Sequence, residues 1–252
     1  MEDLIVATNP KSSFAEAIKL IKTNVTFSSI GTDFKVILMT SPESGDGKSF
    51  LVANLASAFA QGGNKVLIVD ADLRKGRQNK IFNLSNEHGY SDLILFTAQN
   101  QNLIYEGLAQ QMFNYIKSTQ IKGVSLLPAG PVPPNPLELL ASEQNKTIIE
   151  NLRKFFDTII IDCPPALGLS DALVLSKFSD INLVTISNAK TRINQLEDVK
   201  KNFDRVSSKI NGVIINKAKI KASSYSSYYT NDKYYTDHHL VKDEKEDDSE
   251  EV

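Results

Sequence analysis

Three short segments of this 252-residue chain hold the residue types that phosphoryl chemistry needs. The first is Ser41-Pro42-Glu43-Ser44-Gly45-Asp46-Gly47-Lys48-Ser49. Glycines let backbone amides turn inward around phosphates, and a helix that starts there adds its positive end. A lysine in register reaches the outer phosphates, and a serine hydroxyl ligates magnesium. Gly45, Asp46, Gly47, Lys48, Ser49 and the adjoining Phe50 are therefore expected to bind a nucleoside triphosphate with Mg2+. The match departs from the strict Gly-x4-Gly-Lys-Ser/Thr pattern, because Pro42 holds the first position. The second segment, Val66 to Arg74, ends a run of apolar residues in Asp70 and Asp72. Two carboxylates at this spacing share a hydrated magnesium or divide into base and metal roles. The third, Thr158 to Pro165, places Asp162 after four mostly β-branched residues, the usual setting for a magnesium-holding acid. Singly, each has a bland reading: a Gly-rich turn, a capping acid, a strand-end carboxylate. In this order in one chain they support one another.

The elements that must position them follow from periodicity. Residues 35–41 read as a strand feeding the phosphate loop, and Ser49–Gln61 as a helix stopped by Gly62-Gly63. Lys65–Asp70, Val124–Leu127, Thr158–Ile161, Ile181–Ile186 and Val213–Ile215 are further apolar runs. Helical patterns cover 136–155, 169–178 and 191–208. Buried β-branched runs that alternate with helices predict a doubly wound, mostly parallel sheet covered on both faces. Ligands bind such a sheet at the C-terminal ends of its strands, where all three acid or loop segments fall. Residues 30–218 are the expected phosphate-loop domain. Residues 1–29 precede it and carry an amphipathic helix over Ser13–Asn24, with Phe14, Ala17, Ile18 and Ile21 on one face. Residues 219–252 lose periodicity and are expected to be disordered.

Charge narrows the partners. Residues 221–252 carry four lysines against nine acids, a net −5, which leaves +3 on the remainder. A near-neutral body with an acidic tail speaks against nucleic acid as a ligand. The single cysteine, Cys163, excludes an internal disulfide framework. The sequence contains no signal peptide and no apolar run of about 18 residues, so a cytoplasmic location is expected. His238-His239 is too sparse for a zinc site. Arg74 and Arg77 lie beside the acid pair, either toward phosphate or a partner, or simply in solvent.

Together, Gly-x-Gly-Lys-Ser, Val-Asp-Ala-Asp-Leu-Arg and Ile-Ile-Asp-Cys-Pro-Pro resemble the three Walker-type motifs of the bacterial tyrosine kinases, or BY-kinases. The segment Pro128-Ala129-Gly130-Pro131-Val132-Pro133-Pro134-Asn135-Pro136-Leu137-Glu138-Leu139-Leu140 is similar to one typical of that family. Glu16-Ala17 with Lys22-Thr23-Asn24 resembles its N-terminal helix. Five of eight tyrosines (Tyr225, Tyr228, Tyr229, Tyr234 and Tyr235) crowd the tail, as the family's autophosphorylation cluster does. The likeness covers nearly the whole chain.

The resemblance implies an ATP-dependent protein-tyrosine kinase on the deviant phosphate-loop fold shared with cell-division and plasmid-partition ATPases. It implies the form kept separate from its membrane adaptor, acting in capsular or exopolysaccharide synthesis. The adaptor would recruit the protein to the inner face of the membrane and activate it, and a phosphotyrosine phosphatase would oppose it. Lys48 would neutralise charge on the transferred group, Ser49, Asp72 and Asp162 would hold Mg2+, and Asp70 would be the base. A purely magnesium-positioning role for Asp70 stands beside that reading. Asn216-Lys217, after the last strand, would face the nucleotide base. That strand should lie parallel to the others, so the tail leaves on the phosphate-loop edge. Tyr225 then lies about ten residues on, within about 35 Å at full extension. A body with a radius of gyration of about 17 Å lets it reach a neighbouring copy. Glu16, Lys19 and Lys22 stand where the family's ring-contact motif has Glu-x-x-Arg-x-x-Arg. Lysine keeps the charge and loses the bidentate fork. Two rivals remain open. A partition-type ATPase would carry a signature lysine five residues before Lys48, where this chain has Glu43. A non-catalytic nucleotide switch would control assembly alone.

Overall fold

The structure is a computed structural model that describes residues 3–28, 33–100, 105–188 and 190–218. In chain order its elements are α1 (Ile5–Thr8), α2 (Ser13–Ser28), β1 (Val36–Thr40), α3 (Lys48–Gln61), β2 (Val66–Asp70), α4 (Gln78–Ile81), α5 (Tyr90–Gln99), α6 (Tyr105–Met112), β3 (Lys117–Ser118), β4 (Val124–Leu127), α7 (Pro136–Leu140), α8 (Glu143–Leu152), β5 (Thr158–Asp162), α9 (Asp171–Leu175), β6 (Ile181–Ser187), α10 (Ile193–Arg205) and β7 (Gly212–Asn216). The seven strands form one sheet in the order β3-β4-β2-β5-β1-β6-β7. Every pairing is parallel except that of β3 with β4 at one edge. The doubly wound α/β fold expected from the apolar runs is the fold observed.

Every residue of β1, β2 and β5 is buried, which is why these segments read as continuous apolar runs rather than as alternation. Alternation still decides which core each residue enters. Val36, Leu38, Leu67, Val69, Ile159 and Ile161 point to one face, where Tyr90, Leu93, Ile148, Ile149, Val199 and Phe203 cover them. Ile37, Met39, Val66, Ile68 and Ile160 point to the other, against α3. Helix α3 is apolar on nearly all sides because α1 and α2 cover its outer surface. Leu4, Val6, Ala15, Ile18 and Val25 join that same core. Buried Asn54 fastens the layer: its Oδ1 accepts from Val6 N at 2.9 Å, and its Nδ2 donates to Asp3 O at 2.7 Å.

Several boundaries differ from the sequence reading, for local reasons. The pattern over 136–155 is two helices. Ser142 breaks it and caps α8, its Oγ accepting from Asn145 N at 3.2 Å. The pattern over 169–178 shrinks to the five residues of α9. Residues 75–123, to which the sequence reading assigned no element, hold α4, α5, α6 and β3. Their turns are fixed by contacts distant in sequence, such as Tyr90 N donating to Pro128 O at 2.7 Å. No described helix is long and apolar enough to cross a membrane.

Candidate active site at the C-terminal edge of the sheet

Strands β2, β5 and β1 stand side by side, so their C-terminal ends bring the three motifs together. Asp70 and Asp162 are direct partners across the β2–β5 ladder. Strand alternation puts both on the α3 face, with Ile68 and Ile160. Both are fully buried, as are Asp46 and, nearly so, Lys48. Leaving β1, the chain passes Ser41 and Pro42, which dock on the segment after β5: Ala166 N donates to Ser41 O at 2.8 Å and Leu167 N to Pro42 O at 3.4 Å. Pro42 is itself buried at a position that makes no ladder bond. The proline that broke the strict motif is thus tolerated, since its missing N–H is not called on.

The loop then closes on itself. Glu43 N donates to Asp46 Oδ2 at 3.1 Å, and Gly45 and Gly47 take φ of 88° and 90°. At Gly47 a Cβ would fall 2.0 Å from Asn216 Nδ2, so only glycine lets the end of β7 approach the loop. Helix α3 starts at Lys48, and its first-turn amides have no acceptor within the helix. The Lys48 amine bonds Asp162 Oδ1 and lies 3.5 Å from Ser49 Oγ. Burial pulls the Lys48 amine toward neutrality, but Asp162, with Asp72 and Asp70 behind it, raises it above its ordinary value. Asp70 is pushed up to about 8, first by burial and next by the charge of Asp162. Its Oδ2 accepts from Gln78 N at 2.9 Å, and its Oδ1 has no partner among the described residues.

Gln78 is the site residue that sequence reasoning missed. It is fully buried, and its Nε2 donates to Asp162 Oδ2 at 2.7 Å and to Ser49 O at 3.0 Å. One side chain therefore ties the phosphate loop, β5 and, through its backbone, β2. It reaches that place because the segment after Asp72 folds back tightly. A Cβ at Gly76 would lie 2.9 Å from Asp70 Oδ2 and 2.7 Å from the Ala129 methyl. Gly76 was the one sign in the sequence, and no motif pairs it with a glutamine.

Asp72 is half-buried and closes a turn, its Oδ1 accepting from Arg74 N at 3.3 Å and Lys75 N at 2.9 Å. Arg74 Nη2 lies 3.4 Å from buried Asp171 Oδ1. The loop, Asp72, Arg74, Arg77, Lys80 and Pro164 line a cleft of about 1070 Å³. Phe50 borders it, with its ring 5.1 Å from that of Phe14. Asn216 lies on the loop's outer side, donating to Asp46 O at 2.8 Å. Cys163 is buried and its thiol is pushed well above the usual range by burial, which suits a packing role. Glu16, Lys19 and Lys22 are outside the cleft, on α2. Glu16 Oε1 and Lys19 Nζ pair at 2.7 Å on the surface, whereas Lys22 turns inward, its Nζ donating to Ala58 O at 3.0 Å over the Phe59 ring. The five tail tyrosines, and the tail expected to be disordered, lie outside the described residues.

The residues fit a nucleotide with magnesium. The loop amides without helix partners and the Lys48 amine line one cleft, and the Asp70 oxygen without a partner is buried beside Asp162 at the strand ends. Among the described residues no group of three or more acids, histidines or cysteines could by itself hold a metal. Mg2+ takes one or two protein oxygens and completes its shell with phosphate and water. Ser49, Asp72 and Asp162 are the groups within the site that would do so.

The AAA domain family matches residues 34–216. The putative tyrosine-protein kinase CapB of Staphylococcus aureus is 36% identical over 230 residues, 91% of this chain and 96% of the relative. The tyrosine-protein kinase YwqD of Bacillus subtilis (strain 168) is 35% identical over 233 residues, 92% of this chain and 93% of the relative. Among solved structures, the chimerical protein CapA2B2 superposes with a TM-score of 0.77 at 34% identity, over 87% of this chain and 92% of that one. The kinase domain of the Escherichia coli tyrosine kinase ETK gives 0.78 at 28% identity, over 87% and 82%. The septum site-determining protein MinD of Pyrococcus horikoshii, complexed with Mg-ADP, shares the fold at 23% identity and a TM-score of 0.56. With the phosphate loop, the paired aspartates and nearly full-length kinase relatives on record, this chain belongs to the bacterial tyrosine-protein kinase family.

Proposed function

We propose that this chain transfers the γ-phosphoryl group of ATP to tyrosine hydroxyls, chiefly those of its own C-terminal cluster, Tyr225, Tyr228, Tyr229, Tyr234 and Tyr235. The observation that carries this reading is the Lys48–Asp162 pair beside Asp70, at the head of α3. Phosphoryl transfer needs positioning and charge stabilisation more than covalent help from the protein. The amides of Gly45 to Ser49 and the end of α3 bind the phosphates. Lys48 offsets charge that grows on the transferred group. Ser49, Asp72 and Asp162 would hold Mg2+, which would supply charge neutralisation at the phosphates. Asp70 Oδ1 accepts the phenolic proton as the tyrosine oxygen bonds to phosphorus and ADP departs. A rate drop in Asp70→Asn at saturating Mg2+ supports the base role. A change confined to Mg2+ affinity refutes it.

Transfer runs between copies in a ring, with the α2 motif Glu16, Lys19 and Lys22 at the contact. Strand β7 is parallel to β6 and ends on the phosphate-loop edge, nine residues before Tyr225. The biological setting is capsular or exopolysaccharide synthesis on the cytoplasmic side of the membrane. A transmembrane adaptor activates the kinase there and a phosphotyrosine phosphatase reverses the reaction. Tyrosine phosphates on an already acidic tail would repel neighbouring tails and loosen the assembly. The test mixes a Lys48→Met chain that keeps its tail with an active chain truncated after residue 218. Label on the inactive chain is expected, and its absence refutes transfer between copies.

A further inference from the structure

The phosphate loop is held from behind by three side chains on consecutive carbonyls. Lys190 Nζ donates to Ser44 O at 3.0 Å, Lys217 Nζ to Gly45 O at 2.7 Å and Asn216 Nδ2 to Asp46 O at 2.8 Å. Lys190 lies in the β6–α10 connection, and the other two end and follow β7. The grip therefore comes from the β6–β7 side of β1, opposite the β2–β5 side that carries the acids.

Peptide planarity gives this arrangement a consequence. In a trans peptide the carbonyl of one residue and the N–H of the next point in opposite directions. No described peptide is cis. Carbonyls of residues 44, 45 and 46 held toward β6 and β7 turn the amides of Gly45, Asp46 and Gly47 the other way, toward the cleft. A concave row of backbone amides is an anion-binding nest.

Two features keep the lysines in place. Lys190 Nζ also lies 3.9 Å from Glu43 Oε2 and 4.0 Å from Asp46 Oδ1, so the loop's own acids hold it there. Lys217 takes φ of 58°, a left-handed conformation that lysine seldom adopts, and its N–H donates to Asn216 Oδ1 at 2.9 Å. Such a conformation persists only where its surroundings demand it.

We propose that Lys190 and Lys217 are positioning residues of the nucleotide site, which pre-set the phosphate-loop amides for the polyphosphate of a nucleoside di- or triphosphate. Asn216 completes the grip, so its side-chain amide serves the loop rather than the base. This rests on the nucleotide-binding reading of the cleft.

Titration of the full-length chain with Mg-ADP by calorimetry tests it. Wild-type binding checks the cleft reading by itself, and no binding there removes that reading and this one together. With wild type binding, Lys190→Ala with Lys217→Ala is expected to weaken affinity about tenfold or more. Both side chains are exposed, so the melting temperature without nucleotide is expected to stay close to wild type. Lys190→Arg with Lys217→Arg, which keeps donors in reach, is expected to recover most of the loss. The loss should persist at about 1 M salt, where screening acts within about 3 Å. Affinity within twofold of wild type overturns the proposal. So does a loss that disappears at high salt, which marks general attraction instead of a shaped loop.

Discussion

Asp70 and Asp162 face each other across the β2–β5 ladder, yet only Asp162 has a cation, bonded to Lys48 while Asp70 keeps one oxygen free of partners among the described residues. Two buried carboxylates side by side do not ionise equally. Lys48 bonds Asp162, whereas burial and the neighbouring Asp162 raise Asp70 to about 8. The two acids of the sheet edge are thereby given different roles by their surroundings.

Asp70 should be a liability for stability in nucleotide-free protein. Its folded value is raised above the ordinary 3.8, so its contribution is complete below that value and is lost as pH climbs toward about 8. Asp70→Asn removes a group that must ionise while buried. Its melting temperature is expected to exceed wild type by about 4 °C or more at about pH 9, with the gap closing toward about pH 4. Activity falls in the same variant.

Asp180 should behave with the opposite sign. Burial pushes its carboxyl up, but Arg153 and the amides of Lys35 and Val36 outweigh that and hold it below the usual value. Arg153 Nη1 and Nη2 reach its two oxygens at 2.7 and 2.9 Å. Its contribution is present above the unfolded value and is lost as pH falls through the folded one. Asp180→Asn is expected to lower the melting temperature by about 2–4 °C at neutral pH. The gap to wild type should narrow as pH drops from about 5 toward 2.

Gln78→Leu should separate magnesium handling from folding. The variant leaves Asp162 Oδ2 and Ser49 O without the donor that orients them. Loss of such an outer partner typically weakens metal binding about 10–100-fold. The half-saturating Mg2+ concentration in a phosphorylation assay is expected to rise by that order, and an unchanged value contradicts the role.

Lys19 and Lys22 should part company. Lys19→Ala opens an exposed pair and is expected to reduce ring formation in light scattering with little effect on melting. Lys22→Ala removes a donor to the last turn of α3 and is expected to lower the melting temperature of the single chain instead. The same loss of assembly from both substitutions, without destabilisation, contradicts this division.

Much of this was legible in the sequence because the central strands are buried on both faces. Such strands read as unbroken apolar runs, and Asp70 and Asp162 stand at their ends where polarity returns. The phosphate loop was legible because its glycines and lysine have fixed spacing. Gln78 was not, since it reaches Asp162 through a backward fold that Gly76 allows and no periodicity marks. Lys190 was equally hidden, and so was the loop contact of Lys217, which the sequence reading placed with Asn216 toward the base. Their contacts span 146 and 172 residues of sequence, and a surface lysine carries no sign of the carbonyl it holds. The shared helical pattern over α7 and α8 misled because Ser142 can sit within a helix or cap one. Here it caps.

The function proposed for the Lys48–Asp162 edge is transfer of phosphate from ATP to tyrosine. Its most direct test is incubation of the full-length chain with labelled ATP and Mg2+, with and without an adaptor tail peptide, followed by mapping of labelled residues. Phosphotyrosine confined to residues 225–235, and lost in Lys48→Met, is the predicted result. ATP hydrolysis with no phosphotyrosine anywhere in the chain contradicts the account.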